Sequence, residues 1–211
     1  MQGAYARLAW LVSVALWTGC GTTASRVHPV EISPSSASSE AMELYDKDGD
    51  GAIAGEELNA VPGIKRHLQH YDRDGDERVT RDEIAARLQD WGNNQLALMG
   101  RTYVIMLDGQ PLSGATVTLV PEPYLGENVK PASGITGPTG LTRMSHAEED
   151  LPKSANGRPI PGVKAGTFKI QITHPSRQIP AKYNTSTELG DEVAYDINTT
   201  DVAVTLPITS S

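Results

Sequence analysis

Apolar and polar positions along the chain fall into three successive regimes. Leu8 to Trp17 is an apolar run interrupted only by Ser13, too short to span a bilayer as a mature helix. Between residues 40 and 92 the apolar positions repeat in a fixed frame. Met42 and Tyr45 precede one polar loop at the same offsets as Leu68 and Tyr71 precede a second. Leu58 and Ile84 each follow the Glu that closes a loop, and Ile53 and Val79 hold equivalent β-branched places suited to a short antiparallel pairing. The repeat predicts helices on either side of each loop and a face-to-face pair, because one such unit buries too little apolar surface alone. Pro62-Gly63 limits the two middle helices to a turn or two.

After Gly92-Asn93-Asn94 the period switches to two. Tyr103, Ile105 and Leu107 alternate ahead of the turn signal Asp108-Gly109. Val117 and Leu119, then Phe168, Ile170 and Ile172, then Val202, Val204 and Leu206 mark further strands, with weaker ones near 134–136, 140–144 and 192–196. Residues 122–131 and 147–163 read as long loops rich in turn formers. The expected fold class is multi-domain α and β: a helical pair over 40–92, then an antiparallel β-sandwich of about seven strands over 100–208.

The polar loops carry the candidate chemistry. In the first, Asp46, Asp48 and Asp50 fall at positions 1, 3 and 5, Gly51 at 6, Ile53 at 8 and Glu57 at 12. This is the spacing of an EF-hand calcium loop. Ca²⁺ is a hard cation that takes six to eight oxygens at about 2.3–2.6 Å. Alternate residues of a tight loop turn three carboxylates inward, the Ala52 carbonyl adds a backbone oxygen, and Glu57 reaches back with two more. Gly51 makes the sharp turn, and Ala54 at position 9 leaves that ligand to water. The second loop repeats the set with Asp72, Asp74, Asp76, the Arg78 carbonyl and Glu83. It departs at position 6, where Glu77 replaces Gly in a turn that requires positive φ. Arg73, Arg78 and Arg81 also dilute its negative field. The resemblance therefore implies two Ca²⁺ sites, the second weaker.

Net charge is −8, with about half the acids in the 40–92 region, which argues against nucleic acid as a partner. Arg7 and the apolar run that follows predict a signal peptide over 1–19. Cys20 is the sole cysteine, so no intramolecular disulfide forms. Leu16-Trp17-Thr18-Gly19-Cys20 resembles the lipobox of bacterial lipoproteins, with Trp17 in the usual Leu position. That resemblance implies lipidation at Cys20, export, and a membrane as partner through the N-terminal lipid. An ordinary secretory signal with a bystander cysteine is the other reading. Residues 20–39, rich in Ser, Thr and Pro, predict a disordered tether.

Residues 108–119, the Gly137-Pro138-Thr139-Gly140 turn and the Phe168 strand entry together resemble the carboxypeptidase regulatory-like, or transthyretin-like, sandwich. In that family the domain is commonly a structural or ligand-binding accessory, which implies a protein or glycan partner and no catalytic residue. No Gly-x-Ser-x-Gly elbow is present, His67 and His70 lack a third ligand, and His146 to Asp150 reads as a solvated loop. No enzyme is expected. Two function classes stay open: an exported calcium-binding surface protein with structural calcium, or an adhesion or carbohydrate-binding module stiffened by its loops.

Overall fold

The computed structural model describes residues 31–94, 98–197 and 203–210. The expected signal, Cys20 and most of the expected tether lie outside the described residues, as does Val202. No helix among the described residues is long and apolar enough to cross a membrane.

Helix α1 (Pro34–Tyr45) opens the described chain and corrects the tether, which was expected to run to residue 39. The serines that suggest disorder here act as helix-start chemistry. Ser33 is the N-cap and its side chain accepts from the Ser36 N–H, while Pro34 sits in the first turn, where its missing N–H has no cost. Ala37, Ser38 and Ala41 are buried, and α1 packs along the last helix of this region. Strand β1 (Ala52–Ala54), a 3-10 turn over Gly55–Ala60, α2 (Pro62–Arg66), α3 (Leu68–Tyr71), β2 (Arg78–Thr80) and α4 (Arg81–Asn93) follow. β1 and β2 pair antiparallel with Ile53 opposite Val79, both fully buried.

The remainder is a sheet. Strands β3 (Arg101–Leu107), β4 (Gln110–Pro111), β5 (Thr116–Pro121), β6 (Ala132–Ile135), β7 (Leu141–His146), β8 (Gly166–Thr173), β9 (Gly190–Val193) and β10 (Val204–Ile208) join in the order β10-β3-β7-β6-β5-β8-β9, with β4 beside β3. Alternation buries Tyr103, Ile105 and Leu107 of β3, Val117 and Leu119 of β5, and Phe168, Ile170 and Ile172 of β8. The turn after β3 takes positive φ at both Asp108 and Gly109, the geometry its Asp-Gly pair predicts. All pairings are antiparallel except β10 with β3, which is parallel, so the last strand departs from the expected all-antiparallel arrangement. The sheet curls on itself: β3 and β9, separated by four strands along the ladder, meet where Tyr103 Oη donates to Asp191 Oδ2 at 2.6 Å.

The helical part and the sheet share one apolar cluster, which runs from Ala37 and Tyr71 through Trp91 to Phe168 and Ile208. The contact is close enough to exclude side chains: a Cβ on Gly190 would lie 2.2 Å from the Gly63 nitrogen. The seam also buries charge. Arg87 of α4 pairs with Glu192 and Asp196, and Arg101 of β3 pairs with Asp191. Asp191 further takes His67 Nε2 at 2.6 Å. Burial pushes the Asp191 carboxyl up, but hydrogen bonds from His67, Arg101 and Tyr103 outweigh it and its pKa lies below the ordinary value. Glu192 is pushed up by burial in spite of Arg87, and its Oε2 has no hydrogen-bond partner among the described residues.

Candidate metal centre

Each acidic loop is folded by its own carboxylates. Asp46 Oδ1 accepts from the Gly49 N–H at 2.8 Å and Oδ2 from the Gly51 N–H at 3.0 Å. Asp48 accepts from the Asp50 N–H and Asp50 from the Ala52 N–H, each at 3.1 Å. Glu57 closes the loop at both ends, Oε1 accepting from the Lys47 N–H at 2.5 Å and Oε2 from the Ala54 N–H at 3.0 Å. The second loop repeats the scaffold. Asp72 accepts from the Gly75 N–H at 2.7 Å and the Glu77 N–H at 2.8 Å, and Asp76 from the Arg78 N–H at 2.9 Å. Glu83 Oε1 accepts from the Arg73 N–H at 2.8 Å, and Oε2 from the Thr80 N–H and hydroxyl at 2.8 Å each.

This scaffold brings one oxygen of each of Asp46, Asp48 and Asp50 within 4.8 Å of the others, and likewise for Asp72, Asp74 and Asp76. Glu57 and Glu83 stand outside those two clusters, folded back over the first residues of their loops. Ala52 and Arg78, expected to offer carbonyls, lie on β1 and β2 at the edge of each loop. Gly51 has φ +91° and Glu77 has φ +63°, so the second loop makes the same turn without glycine. The donor set is all oxygen and mostly anionic, which fits a hard divalent cation and not a soft one.

The electrostatics differ residue by residue. The Arg78 guanidinium, with a further bond from the Ala52 N–H, holds Asp50 below the usual carboxylate range. The Ala54 and Lys47 N–H groups do the same for Glu57. Desolvation raises Asp74, helped by the adjacent Asp76 charge and by Glu83 and Asp72. Arg78 Nη2 reaches Asp50 Oδ2 across the pair at 2.8 Å, so one loop places its cation on the other loop's cluster.

Sequence reasoning missed the residues that hold these loops from outside. Tyr45, immediately before Asp46, donates to Glu122 Oε2 at 2.6 Å, and Tyr71, immediately before Asp72, shares a 2.7 Å hydrogen bond with Thr167 of β8. The one available signal was that both loops are entered through tyrosine, an amphipathic side chain whose hydroxyl finds a partner when buried. His146, expected in a solvated loop, is instead buried at the end of β7, where its Nδ1 bonds the Pro131 carbonyl at 3.0 Å and its Nε2 accepts from the Lys164 N–H at 2.9 Å. His67 Nε2 is engaged at the seam by Asp191 Oδ1. Comparison with known proteins returned no match to any family model, curated protein or solved structure.

Proposed function

We propose that this chain is a calcium-binding protein, its acidic loops acting as an EF-hand pair with calcium in a mainly structural role. The observation that carries the reading is the duplicated scaffold: twelve-residue loops with three converging carboxylates each, joined by the pairing of Ile53 with Val79. Isolated acidic clusters arise on many surfaces. Two in the same register, each with a turn at position 6 and a closing Glu over the first loop residues, call for a shared cause, and a cation with high coordination number supplies one. Asp46, Asp48, Asp50 and Glu57 would hold one ion, and Asp72, Asp74, Asp76 and Glu83 the other. The ions would neutralise carboxylates that otherwise repel one another.

The packing supports a structural role: α1, α3 and α4 are each held from outside by buried polar bonds, through Tyr45, Tyr71 and Arg87, which leaves little freedom for a regulated opening. A glycan-binding role would want an exposed aromatic platform, whereas Trp91 is buried against Glu192. The family reading of the sheet, and lipidation at Cys20 with export, rest on the sequence motifs; labelled palmitate that persists on Cys20→Ala, or never marks the wild type, overturns the anchor. Calorimetric Ca²⁺ titration tests the main reading. Two ions are expected to bind, Glu57→Gln abolishing the first and Glu83→Gln the second. Absence of calcium-dependent heat in the wild type refutes it.

A further inference from the structure

We propose that Arg87, Trp91 and Glu192 are positioning residues of the second calcium site, setting its affinity by fixing α4 against the sheet. The inference rests on the calcium reading above and goes beyond it, because none of the three touches the acidic cluster. Glu83 is the third residue of α4, and Arg87 and Trp91 follow at i+4 and i+8, on the same face. Arg87 Nε donates to Glu192 Oε1 at 2.8 Å, and its two terminal nitrogens grip Asp196 at 2.7 and 2.8 Å. Trp91 Nε1 donates to the same Glu192 oxygen at 2.9 Å. Arg87 is 2 % exposed and Glu192 fully buried, so the Arg87–Glu192 part of this grip is shielded from water and salt, while the Asp196 end is exposed.

The other end of the loop is held by the same sheet. Tyr71 leads directly into Asp72 and bonds Thr167 on β8, the strand next to β9. The Arg87 guanidinium carbon lies 6.0 Å from the Tyr71 ring centroid, so one cation ties the two anchors together. The spacing between Asp72, the first ligand, and Glu83, the last, is thereby set by two adjacent strands. The first loop has only its entry fixed this way, through Tyr45 and Glu122; its exit, the 3-10 turn at 55–60, shows no polar bond to the sheet among the described residues. The asymmetry matches the sequence. The loop whose turn is strained by Glu77 is the one anchored on both sides, where outside positioning offsets what the loop lacks.

Linkage makes the proposal testable in both directions, since a seam that favours calcium must itself be favoured by calcium. Calcium titration of the full chain is followed through the amide signals of Gly51 for the first site and Gly75 for the second. Arg87→Met, and the milder Asp196→Asn should Arg87→Met fail to fold, are expected to weaken the second site about three- to tenfold while the first changes less than about twofold. Val117→Ala, a core truncation in β5 away from the seam, serves as a control for general destabilisation and is expected to leave both affinities in place. Calcium is also expected to slow amide exchange across 190–193 in the wild type. Equal weakening of both sites, weakening matched by Val117→Ala, or unchanged affinities would overturn the positioning role while leaving calcium binding intact. A wild type that binds no calcium would overturn the underlying reading as well.

Discussion

Glu77→Gly isolates the one place where the second loop departs from its own chemistry. Glu77 is held at φ +63° with its N–H donated to Asp72, so its backbone is fixed in the left-handed region by a bond the loop needs. A residue with a Cβ costs about 1–2 kcal/mol there relative to a right-handed conformation, and glycine nearly nothing. Against this, glycine gives the unfolded chain more freedom, an opposing effect of about 0.4–1 kcal/mol. The difference favours the variant by about 0.5–1 kcal/mol, a rise of roughly 1–4 °C in melting temperature for a chain of this size. Thermal unfolding at saturating calcium measures it. Glu77→Ala is the necessary companion, because it removes the same charge while keeping the Cβ. If strain is the cause, Gly stabilises and Ala does not. Equal gains in both variants would assign the effect to charge, and a less stable Glu77→Gly would refute the reasoning.

Arg78→Gln is expected to tighten the first calcium site about two- to fivefold at low ionic strength, because a guanidinium no longer sits on Asp50, with the gain shrinking as salt rises. Weaker binding in calorimetry would mean that Arg78 supports the loop and does not compete with the ion. Stability is expected to depend on His146. Its pKa is lowered chiefly by burial, so the unfolded chain takes up the proton more readily than the folded one. The stabilisation is then complete above the unfolded value near 6.5 and is lost as pH falls from there toward the folded value, with a limiting slope of about 1.4 kcal/mol per pH unit. Urea midpoints across pH 5–8 should rise with pH in the wild type and rise less in His146→Gln, whose amide can donate to Pro131 and accept from Lys164, the remainder coming from His70, whose pKa burial also lowers. A rise that survives the substitution undiminished assigns the effect elsewhere.

The acidic loops were legible because the spacing of their carboxylates is dictated by the loop backbone, so residues within one twelve-residue window carry the whole signal. The positive φ at Glu77 was legible for the same reason. Strand alternation in β3, β5 and β8 was equally local. The seam was not. Asp191 and Glu192 stand in a run, Gly-Asp-Glu-Val, that looks like a solvated strand edge, yet every residue of it is buried. Burial of a charge depends on a partner, and the partners stand 90 residues away in Arg101 and 105 away in Arg87. No local period reports that. Residues 34–39 failed differently: serine favours both disorder and helix N-termini, and only the packing of Ala37 and Ala41 decides between them.

The polar character of the seam needs its own account, since a buried ion pair is often no more stable than well-packed apolar residues of the same volume. What the charges add is register. Asp191 engages Arg101 and Tyr103 of the sheet together with His67 of the helical part, while its neighbour Glu192 engages Arg87 and Trp91 of α4. A slip of β9 by one residue would move one acid into the other's place and bring Val193 or Gly190 into the place it left, so one arginine would lose its carboxylate, a penalty that an apolar seam would not impose. Gly63 and Gly190 enforce the same placement by contact, as neither backbone has room for a side chain. Metal ligands tolerate errors of only about 0.2 Å. A seam that admits one docking register is therefore better matched to holding Glu83 over its loop than a slippery apolar one of equal stability.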